Sequence, residues 1–117
     1  MRNYNAIVGE VLTDSTSNTF NPIFWRDQYG AIMVSHSGNK LASSDTHRIM
    51  LQGSMDGTAW FTIETMAPGD EDYQRQPSGA PVNNARCSWT RVVQLMPFMR
   101  VQVRNGASLT YTAIVVE

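Results

Sequence analysis

The stretch LQGSMDGTAWFTI, residues 51–63, reads as two short strands around a tight turn. Its flanks, residues 47–53 and 59–66, are rich in β-formers. MDGT between them carries Asp56-Gly57, a pair that supplies the positive φ of a tight hairpin turn. Ile49 and Leu51 are expected to face a core, with Phe61 and Ile63 opposite them. Trp60, just past the bend, is expected as a ring packed at the end of a sandwich rather than as a platform for a ligand.

Working outward from this hairpin, the same period of two recurs. FMRVQVR, Phe98–Arg104, puts Met99, Val101 and Val103 on one face and Phe98, Arg100, Gln102 and Arg104 on the other. LTYTAIVV, Leu109–Val116, sets Leu109, Tyr111, Ala113 and Val115 on one side. NGAS between the two is a short turn, so these strands are expected to pair as an antiparallel hairpin. WTRVVQL (89–95), AIMVSHS (31–37) and NAIVGEVL (5–12) read as further strands, the last with a bulge near Gly9. NPIFWRD offers a short strand after Pro22, and Pro97 sits at a strand junction, where its missing N–H does least harm.

With no helical period of useful length, about seven or eight strands spaced by turn signals predict an all-β fold. The expected architecture is a single antiparallel β-sandwich domain over residues 1–117, jelly-roll-like, with long loop arms. TDSTSNTFNP (13–22) is expected as a polar loop or arm. APGDEDYQRQPSGAPVNNAR (67–86) is expected as a long arm that orders mainly against a neighbouring subunit.

Composition narrows the function classes. The chain has 117 residues, 42% apolar, enough to bury a core without disulfides or metals. A net charge of −1 argues against nucleic-acid binding by bulk electrostatics. No apolar run approaches the roughly 20 residues of a membrane span, and MRNYNAIVGEV lacks the apolar segment of a signal peptide, so secretory export is not expected. Lys40 is the only lysine beside eight arginines, and only 16% of residues are charged. Arginine is enriched and lysine depleted at protein interfaces, so much of this surface is expected to be covered in use.

No chemical signature emerges. Cys87, the only cysteine, reads as a half-buried thiol in or near a strand. His36 and His47 have no acidic residue at ligand-like spacing, so neither zinc nor a catalytic triad is expected. Asp70, Glu71 and Asp72 are adjacent and cannot all point inward at a calcium ion; a solvated loop tip or an ion pair with arginine fits them better. GSMDG leads into a strand and so provides no helix N-terminus for a phosphate. Catalytic, cofactor and metal residues are therefore expected to be none. Arg91, Arg100 and Arg104 on strands, and Arg75 and Arg86 flanking the long arm, have guanidinium forks suited to a partner's carboxylates. With Asp70, Glu71, Asp72 and Tyr73 they form the expected partner-binding set.

HRIMLQGSMDGTAWFTI, followed by PFMRVQVRNGASLTYTAIVV, resembles small β-sandwich structural proteins of tailed bacteriophages, head decoration proteins among them. The same elements resemble the discoidin-like sandwich, whose turn is Ser-x-Asp-Gly-x-x-Trp. The likeness covers residues 48–117, and the framing cysteines of discoidin domains are missing. By this resemblance Ser54, Asp56, Gly57, Trp60 and Arg100 carry over as scaffold only. It implies a non-enzymatic capsid decoration or cement protein, made in the host cytoplasm and resident on the virion. Its partners would be the major capsid protein and itself, as a homo-oligomer with a trimer as the candidate state, and it would contact neither nucleic acid nor membrane. The alternative is a carbohydrate- or receptor-binding module on a tail or fibre, for which Trp25, Tyr29, Tyr73 and Trp89 are the candidate stacking rings.

Overall fold

The computed structural model describes residues 3–22, 29–75, 86–105 and 108–116, with the backbone alone at Asn3, Arg86 and Val116. The described chain is all-β. Its strands are β1 (Asn3–Leu12), β2 (Tyr29–Ser37), β3 (Arg48–Ser54), β4 (Phe61–Met66), β5 (Gln74–Arg75), β6 (Arg86–Gln94), β7 (Phe98–Arg104) and β8 (Leu109–Val116). They form two antiparallel sheets, ordered β1-β8-β2-β6-β5 and β4-β3-β7. The expected strand at NPIFWRD and residues 76–85 of the expected arm lie outside the described residues.

Residues 13–22 are not a free arm. They run along the outer edge of β7, with bridges Thr16–Gln102 and Phe20–Met99. The Ser17 amide donates to the Val101 carbonyl at 2.8 Å, and Phe20 and Met99 exchange amide–carbonyl bonds at 2.8 and 2.9 Å. The segment satisfies backbone groups that an open edge leaves unpaired. Counted with the strands, it gives layers β1-β8-β2-β6 and (13–22)-β7-β3-β4, the double Greek-key order of a jelly roll.

The expected pairing of β7 with β8 does not occur. β7 pairs with β3, whereas β8 lies between β1 and β2 in the other sheet. The chain crosses from one layer to the other after Arg104, as consecutive jelly-roll strands do. The period-two reading of each strand still holds. Met99, Val101 and Val103 are buried from one sheet, and Tyr111, Ala113 and Val115 from the other. Gly9, at φ +65°, marks the irregularity of β1 between Ile7 and Glu10.

The β3–β4 hairpin forms with a wider loop than a two-residue turn. Gly53 pairs with Phe61, and the loop between is tied by side chains. The Ser54 hydroxyl accepts the amides of Asp56 and Gly57 at 3.3 and 2.9 Å. Asp56 Oδ1 accepts those of Thr58 and Ala59 at 2.8 and 2.9 Å. Of the Asp-Gly pair only Gly57 takes a positive φ, +80°. A bulge between Leu51 and Gln52 shifts the register, so Leu51 stands opposite Glu64. Ile49, Leu51 and Ile63 therefore pack on the core as expected, but Phe61 is 50% exposed. Trp60 is on the outer face of the smaller sheet, not at the sandwich end. The Arg100 guanidinium lies 4.2 Å from its ring centroid and donates to Gln52 at 2.8 Å.

Gly57→Val puts a β-branched side chain at this positive φ and should destabilise the fold by about 1–3 kcal/mol. Equilibrium urea unfolding measures it, and an unchanged midpoint contradicts the loop geometry.

Candidate functional site

The interior holds a cluster of polar rings that the two histidines organise. On β2 the inward positions run Ile32, Val34, His36, so alternation carries His36 into the core. Its Nδ1 lies 2.7 Å from the Ser37 carbonyl, which only accepts, so Nδ1 carries the proton. Nε2 is then an acceptor and takes the Tyr73 hydroxyl at 2.8 Å; the Tyr73 oxygen in turn accepts the Leu41 amide at 2.8 Å. His47, just before β3, repeats the arrangement. Its Nε2 takes the Tyr111 hydroxyl of β8 at 2.5 Å, and the ring also hydrogen-bonds the Asn105 backbone. Tyr73 stacks on Trp89 of β6, with centroids 4.3 Å apart and planes 17° from parallel. The Trp89 indole N–H donates to the Ala67 carbonyl at 2.9 Å. Cys87 stands opposite His36 in the sheet, is fully buried and meets the Tyr73 phenol.

Both imidazoles are poised to stay neutral. Burial pushes the pKa of His36 below its ordinary 6.5, against a smaller upward pull from the Ser37 carbonyl. Burial does the same to His47, helped by the neighbouring His36 ring. Burial also pushes Tyr73 up to about 12 and raises Tyr111. Each ring nitrogen and each phenol thus has its partner in the neutral state.

The second feature is Arg91, placed between Trp89 and Val93 on the inward side of β6 at the open edge between the sheets. Its Nε and Nη2 grip Asp72 at 2.6 and 2.9 Å, Nη2 reaches Asp70 at 2.6 Å, and Nη1 reaches Glu64 of β4 at 3.0 Å. The bidentate bond from Arg91 holds the Asp72 carboxyl below the usual range. Asp70 also accepts the Ala67 amide at 2.9 Å.

These two features relocate much of the expected partner-binding set. Asp70, Asp72 and Arg91 bond one another within the chain, and Tyr73 is a core ring, 2% exposed. The first half of the expected arm therefore orders on its own β6, through the Tyr73–Trp89 stack, the Arg91 bonds and the β5–β6 pairing. Arg100 is engaged over Trp60. Glu71, Arg75 and Arg104 are exposed, and the Arg86 side chain lies outside the described residues. Among the candidate stacking rings, Tyr73 and Trp89 are buried against each other, Tyr29 is exposed, and Trp25 lies outside the described residues.

Two surfaces remain that the sequence reading did not single out. One is the outer face of the larger sheet. Register aligns rows across its strands, Asn5–Ile114–Met33–Thr90 and Thr112–Ser35–Ser88–Gln74, and in the second row Ser35 and Ser88 are buried. Val11 stands beside Thr110, and Val92 beside Ala31. No described side chain on this face is charged. The other surface is the end of the β3–β4 hairpin in the opposite layer, where Met55 and Phe61 are exposed. Alternation could have found the first, because polar-phase positions filled with Thr, Val, Met and Ile are visible in the sequence. No family model, curated protein or solved structure matches this chain.

The lowered histidines have a pH consequence. The unfolded chain binds protons near pH 6.5 and the folded one only below that. Their contribution to stability is complete above about pH 6.5 and is lost as pH falls through the lowered folded values. The melting midpoint should drop between pH 7.5 and 5.5. His36→Gln with His47→Gln, which keeps an acceptor for each phenol, should flatten that slope; a flat wild-type profile contradicts the neutral assignment.

Arg91→Gln strands three carboxylates at the sandwich edge. Because the side chains involved are 22–35% exposed, solvent screens the loss, which should be on the order of 1–2 kcal/mol. The deficit should close as pH falls below the carboxylate range, read by thermal melts at pH 7 and pH 3.

Proposed function

We propose that this chain is a structural protein that works by protein–protein contact, a capsid decoration or cement protein of the kind tailed bacteriophages carry. The carrying observation is that exposed apolar side chains stand in both layers of the sandwich, Val8, Val11 and Val92 on the larger sheet and Met55 and Phe61 at the hairpin end of the smaller. A protein that bridges neighbours needs two such surfaces. The jelly-roll strand order agrees with the resemblance of residues 48–117.

In this reading the hairpin end seats on the coat shell. Exposed Arg75, Arg104 and Glu71 are available for charged groups at its rim. Each copy buries area that a bare shell lacks, so mass action favours the assembled state and many linked contacts strengthen it. The site residues on offer bind rather than react: the imidazoles hold phenols in the core, and the Arg91 fork holds carboxylates of its own chain. A sugar-binding reading has less to stand on, since the Trp60 ring carries a guanidinium and Tyr73 and Trp89 face each other.

The test uses particles from a tailed phage that carries this gene. The chain should co-sediment with filled heads and survive washing. Met55→Ser with Phe61→Ser should reduce its occupancy on heads severalfold without moving its melting midpoint. Recovery of the wild-type chain only among free proteins at the top of the gradient overturns the reading.

A further inference from the structure

The Tyr73 phenol is fastened in the core by an acceptor that titrates. Its hydroxyl donates to His36 Nε2 at 2.8 Å, and its oxygen accepts the Leu41 amide at 2.8 Å. The ring stacks on Trp89 and has the Lys40 ammonium 5.4 Å from its centroid. The next two residues are β5, whose whole pairing with β6 is Gln74 with Ser88 and Arg75 with Cys87. Both β5 side chains are exposed, so this edge strand buries nothing of its own and depends on Tyr73 to hold it. Just upstream, Arg91 grips Asp70 and Asp72. The segment therefore has two fastenings of different chemistry, an imidazole–phenol bond and a guanidinium–carboxylate clamp.

The two fail at different pH. His36 Nδ1 already donates to the Ser37 carbonyl, so the next proton goes to Nε2, the atom that accepts the phenol. With both nitrogens turned into donors, the Tyr73 hydroxyl loses its acceptor, and the Cys87 sulfur beside it is a weak substitute. The new charge is also poorly met. The His47, Tyr111 and Trp89 rings stand 6.5, 6.3 and 5.8 Å from the His36 ring, and Cys87 lies opposite it in the sheet. The charged groups further out are Lys40 over Tyr73, and Asp45 and Arg48 near His47. Among the described residues no carboxylate bonds either imidazole. A cation at His36 is thus stabilised by letting water in. Burial holds His36 below its ordinary value, and Arg91 holds Asp72 below the carboxylate range, so in mild acid the imidazole charges while the clamp stays ionised.

We propose that Tyr73 and β5 form an acid-opened latch: a proton taken up at His36 Nε2 evicts the Tyr73 phenol, β5 leaves the edge of β6, and the Asp72–Arg91 clamp remains as the hinge. The open form, with His36 hydrated, takes the proton at the ordinary imidazole pKa, and the closed form only below it. Closure is complete above about pH 6.5 and weakens as pH falls, so the open population should grow about tenfold between pH 7.5 and 5.5. Opening uncovers Trp89 and Cys87, both fully buried when the latch is shut. The latch is a local event and does not depend on the virion reading.

Cys87 is the only cysteine, so its thiol reports the opening. The test follows labelling of the full chain by dithiodipyridine, which reacts in mild acid, from pH 7.5 to 5.5, each rate divided by that of N-acetylcysteine at the same pH. The corrected wild-type rate should rise about tenfold. Addition of about 1 M urea should barely change it, because a local opening exposes little surface. His36→Gln keeps an acceptor for the phenol without the titration and should flatten the rise, whereas His47→Gln should retain it. Tyr73→Phe keeps the ring, removes the bond, and should label severalfold faster than wild type already at pH 7.5. A flat wild-type profile overturns the latch. So does a rise that His36→Gln retains, or one that urea steepens as global unfolding does. If His36→Gln does not fold, Tyr73→Phe decides alone, and labelling no faster than wild type at pH 7.5 overturns the proposal.

Discussion

Two buried imidazoles, each needing one phenol, are the constraint on which the interior depends. A histidine ring in an apolar core is tolerated only neutral and only with both nitrogens occupied. His36 and His47 meet this with Tyr73 and Tyr111, and the four rings come from four separate stretches of chain. The His47–Tyr111 bond runs from the entry of β3 to β8 and so ties the two sheets together. The His36–Tyr73 bond holds the turn before β5 against β2, and the Trp89 stack closes over the same tyrosine. Apolar side chains could fill this volume. The hydrogen bonds add direction, because they accept one registry of the layers and penalise others.

The perimeter is managed by different means on each side. The outer edge of β7 is covered by residues 13–22. β1 carries a bulge at Gly9, and β5 is only two residues long. The gap between β6 and β4 is plugged by Arg91, an inward-pointing charge that a longer or wider sheet could not accommodate. All are recognised ways of keeping a sheet from recruiting further strands.

Charge is segregated accordingly. Carboxylates that could have faced outward from the loop after β4 turn back to Arg91, and Arg100 lies down on Trp60 instead of projecting. A chain with few charges thus spends several of them on its own architecture. Among the described residues, exposed ions concentrate on loops, on the short edge strand β5 and on the end of β7.

Strand positions and faces were legible in the sequence because a half-buried strand must alternate. β7 and β8 show their buried residues at every second place, Gly9 announces its bulge, and Asp56-Gly57 announces the hairpin. The alternation also set Tyr111 on one face with Ala113 and Val115, although nothing local says that its phenol would meet an imidazole. Partnership between strands was not legible. Whether β7 turns back on β8 or crosses to the other layer depends on which edges are already filled, and four residues of turn fit either outcome. Likewise, three acidic residues in a loop read the same whether they meet water, a partner or Arg91, since that choice rests on where β6 and β4 bring a guanidinium. The sequence by itself determined the β class, the faces and the absence of bulk charge. Only the tertiary structure decided the jelly-roll order, the inward turn of the acidic loop and the pairing of imidazoles with phenols, because each depends on contacts between residues far apart along the chain.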